Sequence, residues 1–350
     1  MKRFIQVGTG GFGEYWCSTV LPRVASFATP VAAVDVRPQA LQNARQYLGL
    51  PQERCYTDLE TALREVEADF VNIVVPPQIH ESVIDAAIAH NLDIVCEKPL
   101  GGDMDACVRI YRKVKAAGRK LAVTMSHRLE VEKQTVQSMV ESGKYGKLQY
   151  IVSRLALRRG DVARREPMTA ENLVASLVNN GLIHNLDTMR GVSGSNAKSV
   201  YLNGWTSSLD GYADAASSLA ILEMENGVRA SLEFSSGNAS AMDGWSDEYL
   251  RAECAYGTIV ADHRKVTVRS DFGFPYPETA AVPLRRAPYW DHALVLHDFV
   301  RWLDGGEAPT TNLEENLNCC ALTYAAVESA MTGTVVDVAQ FLERHLNAHG

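Results

Sequence analysis

In VNNGLIHNLDTMR, residues 178–190, His184 stands three residues before Asp187 and four after Asn180. Positions three and four apart share one face of a helix, so these side chains can converge. Imidazole titrates near neutral pH without adjustment, which suits His184 to take or return a proton. The amide of Asn180 can orient a hydroxyl or a water but cannot accept a proton. Three readings are open for such a cluster: acid–base catalysis, a metal site, or a polar helix face. The metal reading lacks a third well-spaced ligand, because His292 and His297 follow no ligand spacing. Asp187 reads as a residue that holds the helix or the imidazole ring.

A second candidate lies near the start, in VGTGGFGEYW. Gly8, Gly10 and Gly13 fall in a G-x-G-x-x-G pattern, with Thr9, Gly11 and Phe12 between them, after an expected strand and before an expected helix. Glycines there let the backbone turn tightly and approach a pyrophosphate at the helix N-terminus. Asp35 ends the next strand, 22 residues after Gly13, where a carboxylate can hydrogen-bond a ribose hydroxyl. The alternative is a glycine-rich turn with no ligand. A carboxylate at Asp35 repels a 2′-phosphate and favours NAD over NADP. Arg37, two residues on, could pair with such a phosphate, which leaves NADP open.

These residues need elements to position them. In the first 125 residues, the apolar runs RFIQVG, PVAAVDV, DFVNIVV, LDIVCE and KLAVTM alternate with amphipathic stretches. One helix is expected from about Glu14 to Ser26, and another over PQALQNARQYLGL, ending at Gly49. Continuous apolar strands separated by helices predict a doubly wound parallel sheet, an α/β Rossmann domain over residues 1–125. Beyond Met125 a helix over EVEKQTVQSMVESGKYG leads into longer strand candidates: KLQYIVSRLAL, AKSVYLNGWT, ASSLAILEM, GVRASLEFSSG, EYLRAECAYGTIVAD and KVTVRS. Glu225-Asn226-Gly227 is a hairpin signal between two of them. Residues 126–350 therefore read as an α+β domain with a large, mostly antiparallel sheet. Its closing helices, HALVLHDFVRWLDGG and NLEENLNCCALTYAAVESAMTG, are free to pack back on the first domain.

Composition removes several function classes. Lys+Arg 34 against Asp+Glu 42 leaves a net charge of −8, so the protein as a whole is no nucleic-acid binder. The opening MKRFIQVGTGG is too short an apolar run for a signal peptide, and no stretch approaches a membrane span. The seven cysteines are scattered, with no C-x-x-C, which suggests neither a disulfide framework nor zinc. Reduced thiols in a cytoplasmic protein fit best.

GTGGFG, VVPPQIH (74–80), CEKPLG (96–101), SHRLE (126–130) and NNGLIHNLD follow one another in an order that resembles the glucose–fructose oxidoreductase / inositol 2-dehydrogenase family, Gfo/Idh/MocA. The resemblance implies the two-domain fold read above, with the large sheet used for contacts in a homo-oligomer, a dimer or tetramer. It implies hydride transfer between NAD(P) and a carbon of a sugar or cyclitol. It makes Lys98 of Glu97-Lys98-Pro99 the catalytic-site lysine, with Pro99 in a cis bond, and His184 the active-site histidine. Pro76, Pro77 and His80 fall where the family lines the cofactor groove, although His80 reads equally as a helix-start residue. Many family members carry an aspartate where this chain has Asn180, so a carboxylate–histidine relay gives way to a histidine–lysine pair.

On this reading His184 is the acid/base. Lys98 orients the reacting oxygen and, partly desolvated beside the positive nicotinamide, could itself accept the proton. Asn180 positions the substrate. Lys144, Lys147, Arg154, Arg158, Arg159, Arg164 and Arg165 crowd around one acid, Asp161, in an otherwise acidic protein. Arginine forks suit carboxylates, sulfonates and phosphates, so Arg158 and Arg159 suggest an anionic sugar; a solvated loop or subunit contact is the alternative. The residues expected to meet substrate are Lys98, Arg128, Arg158, Arg159, Asn180, His184 and Trp245. The competing function is an NAD-dependent glycoside hydrolase that oxidises a sugar carbon transiently, eliminates the aglycone and re-reduces.

Overall fold

The structure, a computed structural model, describes residues 1–158, 181–206, 216–270 and 278–348. The chain divides into two compact units. The first comprises Met1–Ser126 and Tyr289–Leu317, the second His127–Pro288 and Asn318–Ala348.

The first unit is built on six parallel strands: β1 (Lys2–Val7), β2 (Ala28–Val34), β3 (Cys55–Tyr56), β4 (Phe70–Ile73), β5 (Asp93–Cys96) and β6 (Leu121–Val123), in the order β3-β2-β1-β4-β5-β6. This is the doubly wound order, whose direction reverses between β1 and β4, where ligands of such sheets bind beyond the strands' C-terminal ends. Phe4, Ile5, Phe70, Val71 and Ile73 are fully buried, which explains the unbroken apolar runs. Asp58 and Asp103 cap the helices Leu59–Glu65 and Met104–Ala116 by accepting from Thr61 and Ala106 amides, each at 2.7 Å. The helix expected from Glu14 begins at Phe12 and runs as Phe12–Tyr15, a π-wound Trp16–Val20, and Leu21–Val24. Pro22 is the reason for the wide turn: it has no N–H, and its ring would crowd the Ser18 carbonyl in a regular helix.

The returning segment completes this unit. Helix Asp291–Leu303 packs its Phe299 ring edge-on against Phe70, centroids 5.3 Å apart, and Arg23 donates to the Asp291 carboxylate at 2.8 Å.

The second unit carries nine strands: β7 (Leu148–Ala156), β8 (Ala197–Thr206), β9 (Ala216–Met224), β10 (Arg229–Ser235), β11 (Tyr249–Cys254), β12 (Gly257–Asp262), β13 (Lys265–Arg269), β14 (Ala280–Val282) and β15 (Val336–Asp337). Their order is β14-β13-β12-β11-β7-β10-β9-β8-β15, antiparallel except for the β7–β10 pair. Asn226-Gly227 turns β9 into β10 as expected. EYLRAECAYGTIVAD, read as one strand, is β11 and β12 joined through Ala255-Tyr256. Helices Val131–Glu141, Ile183–Ser193 and Val338–Ala348 pack on the sheet. Leu219 and Ile221 of β9, 54% and 64% exposed, mark an apolar area that these helices leave open.

Candidate active site

The glycine turn sits where β1 ends. A Cβ built on Gly13 would lie 2.5 Å from the Gly8 carbonyl oxygen, so helix and strand meet there only because Gly13 has no side chain. No heavy atom comes within 4 Å of a Cβ built on Gly11, which leaves room in front of the turn. This close backbone with open space before it fits a dinucleotide's pyrophosphate. Asp35 Oδ2 accepts from the Thr9 and Gly10 amides at 3.0 and 3.1 Å, and Oδ1 from the Arg37 amide at 3.0 Å. Burial would raise this carboxyl, but those amide hydrogen bonds bring it below its ordinary value and keep it ionised. The Arg37 guanidinium lies over Gly10, since a Cβ there would be 2.1 Å from its Nη2. Pro76 is exposed and Pro77 half-buried just beyond β4.

The Glu97-Lys98-Pro99 segment leaves β5 with the Lys98–Pro99 bond cis. Glu97 is buried and holds two elements at once. Its Oε1 accepts from the Trp16 indole at 2.8 Å and its Oε2 from the Lys98 amide at 3.1 Å. Lys98 is thereby registered to the helix that follows the glycine turn. His292 Nε2 is 3.6 Å from Glu97 Oε1, its ring is edge-on to Trp16, and burial holds its imidazole below the usual histidine range.

His80 is fully buried and opens the helix His80–Ala89, the helix-start position of its alternative reading. Its Nε2 lies 2.8 Å from the Val75 carbonyl and its Nδ1 3.4 Å from the Cys96 thiol, with the Leu100 carbonyl at 3.2 Å. Burial lowers its titration, and the neutral ring can donate to Val75 and accept from the thiol. It ties the Pro76-Pro77 segment to the Lys98 segment.

In the second unit, helix Ile183–Ser193 carries His184, 2% exposed. His127 lies flat on it, ring centroids 3.6 Å apart and planes inclined by 6°. Trp245 turns edge-on to both rings, its centroid 5.1 Å from His127 and 6.0 Å from His184. Asp187 Oδ1 accepts from Arg128 at 3.1 Å and Arg190 at 3.3 Å. Arg128, expected to meet substrate, packs over Gly191 of this helix with its side chain 10% exposed. Arg154 is likewise engaged, in a two-pronged pair with Asp243 at 2.8 and 3.0 Å.

A family model described as an oxidoreductase family with an NAD-binding Rossmann fold matches residues 2–125, and one described as the GFO/IDH/MocA C-terminal domain matches residues 134–260. The chain belongs to the GFO/IDH/MocA oxidoreductase family. An uncharacterized protein, y4oX, from Sinorhizobium fredii is 33% identical over 353 residues, covering 98% of this chain and 97% of that protein. Inositol 2-dehydrogenase from Corynebacterium glutamicum is 30% identical over 230 residues, 65% of each chain. In structure, an oxidoreductase from Agrobacterium radiobacter, solved with NAD+, L-tartaric acid and magnesium, superposes with a TM-score of 0.80 at 20% identity, covering 97% of this chain and 99% of that one.

Within this GFO/IDH/MocA oxidoreductase, the structure gathers Gly8, Thr9, Gly10, Asp35 and Arg37 at one turn, and His184 with Trp245 at another site. Asn180, Arg159, Asp161, Arg164 and Arg165 lie outside the described residues. Arg158, the last residue before that gap, is exposed and bridges to Gly237. Sequence reasoning missed His127. Its signal was present in SHRLE, but nothing in the spacing pairs it with a histidine 57 residues away. All seven cysteines are free, and no helix among the described residues is long and apolar enough to cross a membrane.

Proposed function

We propose that this protein transfers a hydride between NAD and a carbinol carbon of a sugar or cyclitol, with His184 as acid/base and Lys98 as the group that orients the reacting oxygen. The observation that carries this reading is Glu97, which ties the Lys98 backbone to Trp16 of the cofactor-turn helix. Bound NAD supplies the hydride acceptor in oxidation and, reduced, the donor in the reverse direction. His184 takes the hydroxyl proton on an imidazole nitrogen as the carbonyl forms and returns it in reduction. The Lys98 ammonium donates a hydrogen bond to that oxygen and stabilises its developing negative charge. Trp245 offers an aromatic surface beside His184 for an apolar sugar face. Asn180 is assigned to positioning a substrate hydroxyl, the role left to an amide that cannot accept a proton.

An anionic sugar is the substrate class suggested by the basic run from Lys144 to Arg165. Arg154 is already neutralised by Asp243, which narrows the candidates to Arg158 and the arginines that follow it. The exposed β9 area supports a homo-oligomer, a dimer or tetramer formed through the large sheet, and sedimentation equilibrium measures it. The deciding experiment incubates the protein and NAD+ with neutral and anionic sugars, cyclitols and their aryl glycosides, following NADH absorbance and aglycone release together. NADH formed in proportion to product, and lost in Lys98→Met and His184→Asn variants that still bind NADH, is the expected result. Aglycone released over many turnovers with no net NADH would replace it with redox-assisted glycoside cleavage.

A further inference from the structure

The face of His184 that meets His127 is backed by a buried charge cluster. His127 Nδ1 meets one oxygen of the Glu248 carboxylate, and Lys133 Nζ meets the other. Lys133, 1% exposed, also donates to the Ser246 carbonyl at 2.6 Å and stands 3.8 Å from Glu132. Arg264 pairs with Glu130 and Glu132, both at 3.0 Å, and its amide donates to Asp247 at 2.9 Å. His263, beside it, is exposed and 4.0 Å from Asp247. On the other side, Arg128 and Arg190 turn onto Asp187, with Arg190 also held by Asn196 at 2.7 Å.

Burial raises the Glu130 carboxyl, and the Arg264 guanidinium beside it works against that rise. On this side Glu130, Glu132, Asp247 and Glu248 stand against Lys133 and Arg264, an excess of carboxylates, and the histidine in contact with Glu248 is His127. Burial would raise the Glu248 carboxyl too, but the charges of His127 and Lys133 more than offset this and hold it far below the ordinary range. A buried carboxylate of that kind demands a cation beside it.

We propose that His127 is a positioning residue, kept as an imidazolium by Glu248, that lies against His184 and keeps that second imidazole neutral and ready to accept a proton. Two stacked rings at this separation cannot both carry charge cheaply, so the proton goes to the ring with the carboxylate. The proposal rests on His184 as the proton acceptor, and it adds what sets that acceptor's proton affinity. The stack also fixes the plane in which His184 presents its nitrogens.

The test is 15N NMR of the histidine rings in the full-length protein, with and without NADH. In the parent protein near neutral pH, His127 is expected to show both ring nitrogens protonated and His184 to be neutral. A neutral His127 overturns the proposal, and this reading needs no variant to fold. His127→Gln keeps a donor for Glu248 and removes the ring charge. Its His184 titration should move upward by at least about one pH unit, a roughly tenfold rise in proton affinity, and the acid limb of kcat/KM should move with it. A titration that stays in place, or moves down, reduces the stack to packing and overturns the proposal. The ring titration requires no turnover, so shifted nitrogens in a protein that oxidises no sugar would uphold the His127–His184 coupling and defeat the dehydrogenase reading alone.

Discussion

Replacing Gly13 by alanine tests the nucleotide turn most sharply. The new Cβ would lie 2.5 Å from the Gly8 carbonyl oxygen and 2.8 Å from its carbon. Carbon–oxygen contacts ordinarily begin near about 3.3 Å, so the two backbones must part by roughly 0.8 Å. Gly8 cannot be the one to retreat. Its N–H donates to the Val34 carbonyl at 2.8 Å, and a Cβ built on it would sit 2.0 Å from the Val74 oxygen, so it is wedged between β2 and β4. The start of the helix moves instead, and with it the amides that face the pyrophosphate. Overpacking of this kind destabilises by about 1–3 kcal/mol. A displacement near 1 Å lowers cofactor affinity by about tenfold to a hundredfold, since 1.4 kcal/mol is tenfold. NADH fluorescence titration and urea unfolding of the same variant measure the two effects. Gly102→Ala is the control, because no heavy atom lies within 4 Å of its Cβ position. A Gly13→Ala protein with the parent's NADH affinity and urea midpoint would refute the reasoning.

Gly181 enters helix Ile183–Ser193 at φ 128°, and a Cβ there would meet Leu155 at 3.0 Å, Phe234 at 3.3 Å and Trp245 at 3.4 Å. Gly181→Ala is expected to lower stability by about 1–3 kcal/mol and displace Trp245 from His184, read by thermal melting and tryptophan fluorescence. His80 and His292 are buried with their titration pushed down, so the unfolded chain binds protons that the folded chain does not. Stability is then full above about pH 6.5 and falls below it, by up to about 1.4 kcal/mol per pH unit for each ring; urea midpoints level down to about pH 5 would contradict this. Glu81 accepts from Arg109 at 2.8 Å and Lys113 at 2.9 Å, and Arg109 leads in holding its carboxyl at about 2. Being near the surface, the pair is screened: Glu81→Gln should cost no more than about 1 kcal/mol in chemical denaturation at neutral pH, and that loss should vanish as pH falls towards about 2.

The parallel sheet was legible because its strands are buried on both faces and read as unbroken apolar runs between helices. β11 and β12 merged in the reading because Ala255-Tyr256 is no turn signature and the apolar alternation runs up to it from both sides. The short strands β3, β14 and β15 have too few residues to show a period. The candidate residues that local pattern suggests are the glycine turn and Asp35 near a strand end, while Lys98 comes only from the family resemblance. Roles that depend on distant partners are not legible. His80 does begin a helix, His80–Ala89, as its alternative reading has it, but no local pattern announces its contacts with Val75, Cys96 and Leu100. Arg128 reads as a substrate contact, and nothing in its spacing announces its bond to Asp187, 59 residues on. Glu248 is 121 residues from His127, and no periodicity joins them.

The first unit begins at Met1 but is finished by Tyr289–Leu317. On a ribosome, the nucleotide-binding sheet would emerge long before the helix that covers Phe70 and answers Arg23. Until Asp291–Leu303 is made, Phe70 lacks the Phe299 ring that packs on it. Closing that gap means joining segments more than 160 residues apart, a slow step by the entropy of loop closure. Cofactor binding and the completion of this sheet's cover thus become late events, and NAD present during synthesis would select chains that have already made that long-range closure.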